Sequence, residues 1–371
     1  MTFEIIPYTA EYESAVKEFN QRLLAAGTKS RFPESSIPKW LPNVESRKIF
    51  QEFYLCLERD VVRGGYILKR QVFQLRGGRA SIGNFQLPLS EGIIDRKFSM
   101  IGLTLLRDAL KKEARLFSLG LGGYEEPLTK LLKSSGWEMA SVPFHFKIIS
   151  AYRFLRKIRF LRKTQLRRTA LDLAAFTGVG WLAIKIAQMR LNASFSEDTQ
   201  YHTDEVRSFQ GWADKIWDTC RDNYLLQAVR DQETLQVLYP ESDPRFHRLV
   251  VLQKENPVGW CVVMATHMKD HKHFGGLHVG TIVDLLCTPQ SAGYLVRSST
   301  ELLRQLGCDL IVTNQSSAVL GAAFGKSGYL KGPSNFILAV SPELAKDVSP
   351  FESNLSKFHF NRGDGDGPIH L

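Results

Sequence analysis

Apolar positions recur along the chain with two alternating periods. Residues 2–8, TFEIIPY, alternate as a strand does, and 11–27, EYESAVKEFNQRLLAAG, space their apolar residues as an amphipathic helix that ends at a glycine. Residues 52–75 read as two strands divided at Arg63-Gly64-Gly65, and 80–92 as a further strand. A helix (98–114), a buried strand (116–123), a second helix (126–136) and a last strand (137–149) follow. This is the signature of an α/β layer built on a mixed sheet.

The second half repeats that order. Helical material near 206–220 precedes strands at 248–256, 258–266 and 280–287, then a helix at 294–307, a strand at 308–314, a helix at 318–328 and a strand at 334–340. Glu91 and Asp284 stand 193 positions apart, as do Met100 and Gly293, while Gly136-Trp137 and Gly328-Tyr329 stand 192 apart. A shared offset at three landmarks points to an internal duplication. The expected division is one domain over 1–150, a connecting segment over 151–190, a second domain over 191–350 and a tail over 351–371, whose Gly-rich end reads as a surface loop.

Composition narrows the class. With 371 residues and 44% hydrophobic content, the chain has the length of two domains at about 150 residues each. Cys56, Cys220, Cys261, Cys287 and Cys308 form no C-x-x-C pair, which argues against zinc ribbons and secreted disulfide scaffolds and fits a reduced, cytoplasmic setting. Glu4, Glu11 and Glu13 are out of place in an export signal, and the charge-free stretch from Leu173 to Ile184 is shorter than the roughly 20 residues that span a bilayer.

The net charge of +10 is unevenly spread. Residues 151–168, AYRFLRKIRFLRKTQLRR, hold eight Lys/Arg and no acid, with apolar residues interleaved at helical spacing, and lead into the apolar stretch 169–189. Such a segment suits an anionic membrane surface from 153 to 168, with the adjoining apolar stretch dipping into the interface. Nucleic acid is the competitor for any basic run, and is disfavoured because the interleaved residues are mostly aliphatic and no nucleic-acid fold is visible. A solvated linker helix packed on the domains is the plain alternative.

Each half contains a strand, a short turn and a helix, and such a turn offers unpaired N–H groups to an anion. The second turn is Gln290-Ser291-Ala292-Gly293-Tyr294-Leu295; the first runs from Lys97 through Met100 to Gly102. At these residues the chain resembles the GNAT acyltransferases, whose loop Gln/Arg-x-x-Gly-x-Gly/Ala holds the diphosphate of acyl-CoA between two splayed strands. The resemblance implies two GNAT-like mixed-sheet domains in tandem. It also implies acetyl-CoA or another acyl-CoA as co-substrate and transfer of an acyl group to an amine of a small molecule, sugar or peptide; the basic segment alone points to a cell-envelope pathway for that acceptor. On the loop alone the second half is the better donor site, since a phosphate approaches backbone more easily beside Gly293 than beside Met100.

By the same resemblance Glu91 and Asp284, each nine residues before its turn, are candidate general bases, and Asn314 is a candidate contact to the pantetheine side. The family's acid tyrosine is replaced by Phe324 in one half and Leu132 in the other, which leaves Tyr124 as the candidate acid and a scaffold or ligand-binding protein as the rival reading. The tandem layout also resembles the peptidoglycan-bridge aminoacyl transferases, without their long helical hairpin. Other signals fail: the P-loop-like run from Gly321 to Ser327 is one residue short, Asp364-Gly-Asp366-Gly lacks a distal Glu, and His267, His271, His273 and His278 lack partners at metal spacing, so no metal is expected.

Overall fold

The computed structural model describes residues 3–44, 47–189 and 200–365. Its chain forms two compact units that exchange segments. The first takes in residues up to 141, 225–229 and 335–355, and the second 142–224, 230–334 and the chain from 356 on.

In chain order, the first unit begins with β1 (Glu4–Pro7), α1 (Glu13–Ala25), β2 (Phe50–Glu58), β3 (Val61–Leu75), β4 (Gly78–Ser90), α2 (Ile101–Lys112), β5 (Leu116–Leu119), α3 (Pro127–Ser134) and β6 (Glu138–Ser141). The chain then enters the second unit with β7 (Phe144–Ile148), α4 (Ala151–Lys157), α5 (Gln165–Phe176), α6 (Val179–Met189), β8 (Tyr201–Val206) and α7 (Trp212–Cys220). It returns to the first for β9 (Leu226–Ala228). The second unit resumes with α8 (Gln232–Leu238), β10 (His247–Gln253), β11 (Asn256–His267), β12 (His278–Cys287), α9 (Ala292–Gln305), β13 (Leu310–Asn314), α10 (Ala318–Lys326) and β14 (Leu330–Gly332), and β15 (Ile337–Val340) lies in the first.

The sheet of the first unit has the order β1-β2-β3-β4-β5-β15-β6, with β9 beside the end of β3. The second has the order β14-β7-β13-β12-β11-β10-β8. These are the same arrangement with one reciprocal substitution. The strand read as the end of the first half, 137–149, breaks at Val142-Pro143 into β6 and β7, and β7 joins the second sheet against β13, Leu310 opposite Ile148. Conversely β15, the last strand of the second half, pairs with β5 and β6, Leu338 opposite Leu119 and Ala140. The units therefore do not follow contiguous halves of the sequence.

Both faces of each sheet are covered, so the central strands are apolar on both sides rather than alternating. In β2, Phe53, Leu55 and Leu57 join Val16, Phe19 and Leu23 of α1, while Tyr54 and Cys56 pack with Leu105, Leu106 and Ala109 of α2 on the other face. In the second unit Leu295, Val296 and Leu303 of α9 meet Val251, Cys261 and Val263, and Phe154 and Leu155 of α4 meet Val279 and Val312. The turn expected at Arg63-Gly64-Gly65 is instead at Arg59-Asp60, with both glycines inside β3. A Cβ on Gly64 would lie 2.7 Å from the Leu89 carbonyl oxygen, and one on Gly65 2.7 Å from that of Tyr54, so glycine here serves close strand approach.

In each sheet two parallel strands pair briefly and then part. β4 pairs with β5 at Gly83 and Asn84 and runs on to Ser90, and β12 pairs with β13 from Val279 to Thr281 and runs on to Cys287. Each divergence leads to a turn and a helix N-terminus.

Candidate functional site

In the second unit the last bond across the parting strands is Thr313 Oγ1 to the Ile282 oxygen at 2.9 Å. Beyond it, residues from Phe358 to Asp364 enter the opening. His359 Nε2 donates to the Leu285 oxygen on β12 at 2.9 Å, and Ser316, at the end of β13, exchanges bonds with Phe358 and Phe360 at 2.8–3.0 Å. A 3-10 turn over Arg362–Asp364 follows, closed by a capping box between Asn361 and Asp364.

That segment completes a buried ionic cluster around Asp284, which has no exposed surface. Arg230 Nε donates to both carboxylate oxygens at 3.0 and 3.1 Å, Tyr239 Oη donates at 2.9 Å and Asn361 Nδ2 at 2.6 Å, while Arg230 Nη2 reaches Asp364 at 2.8 Å. Burial opposes the charge on Arg230, but the two carboxylates outweigh it and hold the guanidinium ionised. Burial, reinforced by the Arg230 charge, pushes the His359 imidazole down to about 3, so the ring is neutral. A Cβ on Gly363 would stand 2.2 Å from Tyr239 Oη, so a side chain is excluded there.

The first unit's opening is differently furnished. Ser118 Oγ donates to the Phe85 oxygen at 2.7 Å where the strands part. Past that point Leu87, at a positive φ of 45°, is exposed, as are Ile93, Ile94 and Met100 in the turn that leads to α2. Apolar groups presented to solvent at a strand opening suit an apolar ligand. Arg96 and Lys97 flank the turn with positive charge, and the first turn of α2 adds the N–H groups that a helix leaves without partners.

Solved structures of similar fold exist at low sequence identity. A protein of Enterococcus faecalis described as a probable N-acyltransferase of unknown function aligns with TM-score 0.51 at 8% identity, over 94% of this chain and 75% of that one. Saccharomyces cerevisiae N-myristoyltransferase with bound myristoyl-CoA aligns with TM-score 0.51 at 9% identity, over 91% and 79%. A GCN5-related N-acetyltransferase of Anabaena variabilis aligns with TM-score 0.52 at 10% identity, over 91% and 72%. The chain has the tandem GNAT fold. No family model matches its sequence, and no curated protein does.

Against that GNAT frame the expected site residues are dispersed. Asp284 has three donors on its carboxylate and no access to solvent, which removes it from service as a base. Glu91 is also buried, in a 3-10 turn after β4, with Oε1 2.5 Å from Arg22 Nε and Oε2 2.8 Å from Arg63 Nη1. Asn314 spends its amide on the Val142 oxygen at 3.3 Å and Ser334 at 3.4 Å, so it is a structural clasp rather than a free contact.

In the second turn, Ser291 donates to the Thr288 and Val258 oxygens, Ala292 and Leu295 are core residues, Gln290 is exposed and the Tyr294 ring lies tilted 5.3 Å from that of Tyr201. Gly293 stands in the first turn of α9, and the strand opening beside it is filled by the chain itself. In the first turn, Lys97 lies over the Phe98 ring at 4.6 Å, and Gly102 sits in the first turn of α2. Tyr124 is half exposed with Oη 3.4 Å from Ser141 Oγ, whereas Phe324 and Leu132 at the tyrosine positions are core.

The residues that sequence reasoning missed are the partners: Arg22 and Arg63 for Glu91, and Arg230, Tyr239 and Asn361 for Asp284. Of the Gly-rich end read as a surface loop, 360–371, residues Phe360, Asn361, Gly363 and Asp364 are buried. One signal was present, since Asn361-x-x-Asp364 has the spacing of a capping box. Asp364 is committed to Arg230 and Asp366 lies outside the described residues. His267 stacks on His278 at 3.7 Å, while His271 Nδ1 accepts from the backbone N–H groups of His273 and Phe274 in its own loop. Among the described residues no three His, Cys, Asp or Glu converge as for a metal.

Proposed function

We propose that the protein is an acyl-CoA-dependent N-acyltransferase whose donor lies in the first unit, between β4 and β5 with its diphosphate at the start of α2. The observation that carries this reading is the asymmetry between the openings: the second is filled by residues 358–364, while the first presents an exposed apolar rim beside Arg96 and Lys97. The acyl-CoA class is supported by the fold and by the myristoyl-CoA bound to the yeast neighbour. This reading moves the donor from the turn at Gly293 to the turn at Met100.

In the reaction, the nitrogen of an amine on a sugar, peptide or small molecule attacks the thioester carbonyl. The C–N bond forms, the C–S bond breaks, and the nitrogen loses one proton to solvent water while the departing thiolate takes one up. Tyr124 Oη, at the mouth of the loop after β5, is the proton donor to the thiolate. Glu91 is structural in this reading, because its carboxylate anchors Arg22 and Arg63 beside the turn that leads to α2.

Calorimetry with acetyl-CoA and a long-chain acyl-CoA tests the assignment. Met100→Glu, which sets a negative charge at the proposed diphosphate site, should abolish binding, and Gly293→Glu should leave it unchanged. The reverse pattern returns the donor to the second unit, and no heat with any acyl-CoA refutes the reading. The absence of a tyrosine at both motif positions favours one rival, a protein that binds acyl-CoA without turning it over; Tyr124→Phe separates the two, since only the enzyme reading predicts a loss of turnover.

A further inference from the structure

The basic segment is not the single amphipathic helix its spacing predicts. α4 ends at Lys157, Ile158 turns extended, the N–H groups of Arg159 and Phe160 bond to the His273 oxygen, and α5 begins only at Gln165. The apolar residues of α4 point inward: Ala151, Phe154, Leu155 and Ile158 are all buried in the core of the second unit. What stays uncovered is the next stretch. On α5 and α6, which are bent by 81° about Gly178, Leu166 is 82% exposed and Phe176 67%, and Leu173, Val179, Trp181 and Met189 are more than half exposed.

The opposite side of this bent pair is fixed to the protein. Leu171, Ala174, Ala175 and Ile184 pack on the core that holds α4. The outer face is thus held in place by packing on its inner one, and it is apolar over two helices, beyond the single scattered residues normal at a surface.

Charge states what this face meets. Between 151 and 189 there are nine Lys/Arg and one acid, Asp172, and Arg162 neutralises that acid with two bonds of 2.7 and 2.8 Å. Arg156 lies over the Phe176 ring at 5.3 Å and Lys185 over Trp181 at 4.6 Å, which sets cations beside the exposed apolar side chains. Among the described residues no single helix is long and apolar enough to cross a membrane. A helix of 12 residues extends about 18 Å, against a hydrocarbon core of about 30 Å.

We infer that α5 and α6 form a docking surface that lies in the interface of an anionic lipid bilayer, with Phe176, Val179 and Trp181 at the bend entering the acyl boundary and Arg156, Arg167, Arg168 and Lys185 meeting lipid phosphates. The site keeps one part of the sequence-based expectation and changes the other: the inserting residues lie in the apolar stretch after 168, as the sequence suggests, but the apolar residues of 151–158 serve the core. The inference is independent of the acyl-transfer reading.

The full chain should co-sediment with vesicles of equal parts phosphatidylcholine and phosphatidylglycerol at low salt, bind pure phosphatidylcholine at least tenfold more weakly, and be released as salt screens the charge. Phe176→Ser with Trp181→Ser should abolish sedimentation. Arg167→Ala, Arg168→Ala and Lys185→Ala together should weaken it about 100-fold, at about fivefold per cation near the surface. All five side chains are outside the core, so circular dichroism should be unchanged. Equal recovery with neutral and anionic vesicles overturns the inference, as does retention by the Phe176→Ser/Trp181→Ser variant. A concentration-dependent dimer lost in that variant assigns the face to a second copy, and duplex DNA binding of equal strength assigns the cations to nucleic acid; either also overturns it.

Discussion

Asp284→Asn removes a charge from the most enclosed ionic cluster among the described residues while changing little in volume. The native carboxylate accepts from Arg230, Tyr239 and Asn361, and the amide keeps one acceptor oxygen and points N–H bonds at groups that are themselves donors. Arg230, 1% exposed, is left with Asp364 as its counter-charge. Breaking a buried pair from one side costs about 3–5 kcal/mol, a large share of the roughly 5–15 kcal/mol that holds a domain folded. Equilibrium urea unfolding, read from the buried Trp217 and Trp260 of the same unit, should show that loss. Arg230→Met and the double variant complete a cycle in which the two single losses exceed the double by about 1–3 kcal/mol. The reasoning fails if Asp284→Asn costs under about 1 kcal/mol. It also fails if turnover drops by two orders of magnitude at an unchanged urea midpoint, since Asp284 would then be a base that substrate can reach.

Two more predictions concern the buried titratable groups. His359 and His145 are both held neutral by burial, with pKa values lowered to about 3 and about 4, so their contribution is intact above the unfolded value near 6.5 and drains as pH falls through the acid range; the second unit should lose about 2 kcal/mol between pH 6 and 5, and an unfolding midpoint flat over that interval contradicts the burial. Glu91→Gln should cost about 1–3 kcal/mol, below the full buried-pair figure because Arg22 and Arg63 stay partly solvated, and should change turnover by less than threefold; a loss of about 10²-fold or more would restore Glu91 as a general base.

The order of elements was legible because apolar period and turn residues are local properties. Every helix expected between 11 and 136 has its counterpart, and so do those after Gly293 and after Asn314. The strand at 137–149 was read as one piece because Val142-Pro143 interrupts the backbone without interrupting the apolar run. Its reassignment rests on pairings with residues over 160 positions away, which no local pattern carries. The acids fared likewise. Glu91 and Asp284 were found by their distance from the turns, but whether a carboxylate is a base or an anchor depends on Arg22, Arg63 and Arg230, which lie elsewhere in the sequence. The tail was misjudged because a Gly-Asp run marks a turn without saying what covers it, and Gly363 is there because a side chain would collide with Tyr239.

The exchange of β7 and β15 sets an order on how the protein can be made. As the chain leaves the ribosome, β5 and β6 emerge by residue 141, yet the strand that fits between them is not synthesised until 337–340. Nearly 200 residues must be translated while the first sheet stands with a vacant lane whose two flanking strands are open to any other extended segment. β7, for its part, is exported early and waits for β13. A gene cut in the connecting segment would leave the N-terminal fragment with β7 to spare and without β9 and β15, and the C-terminal fragment with the converse surplus and lack, so only co-expression would give either sheet its proper set.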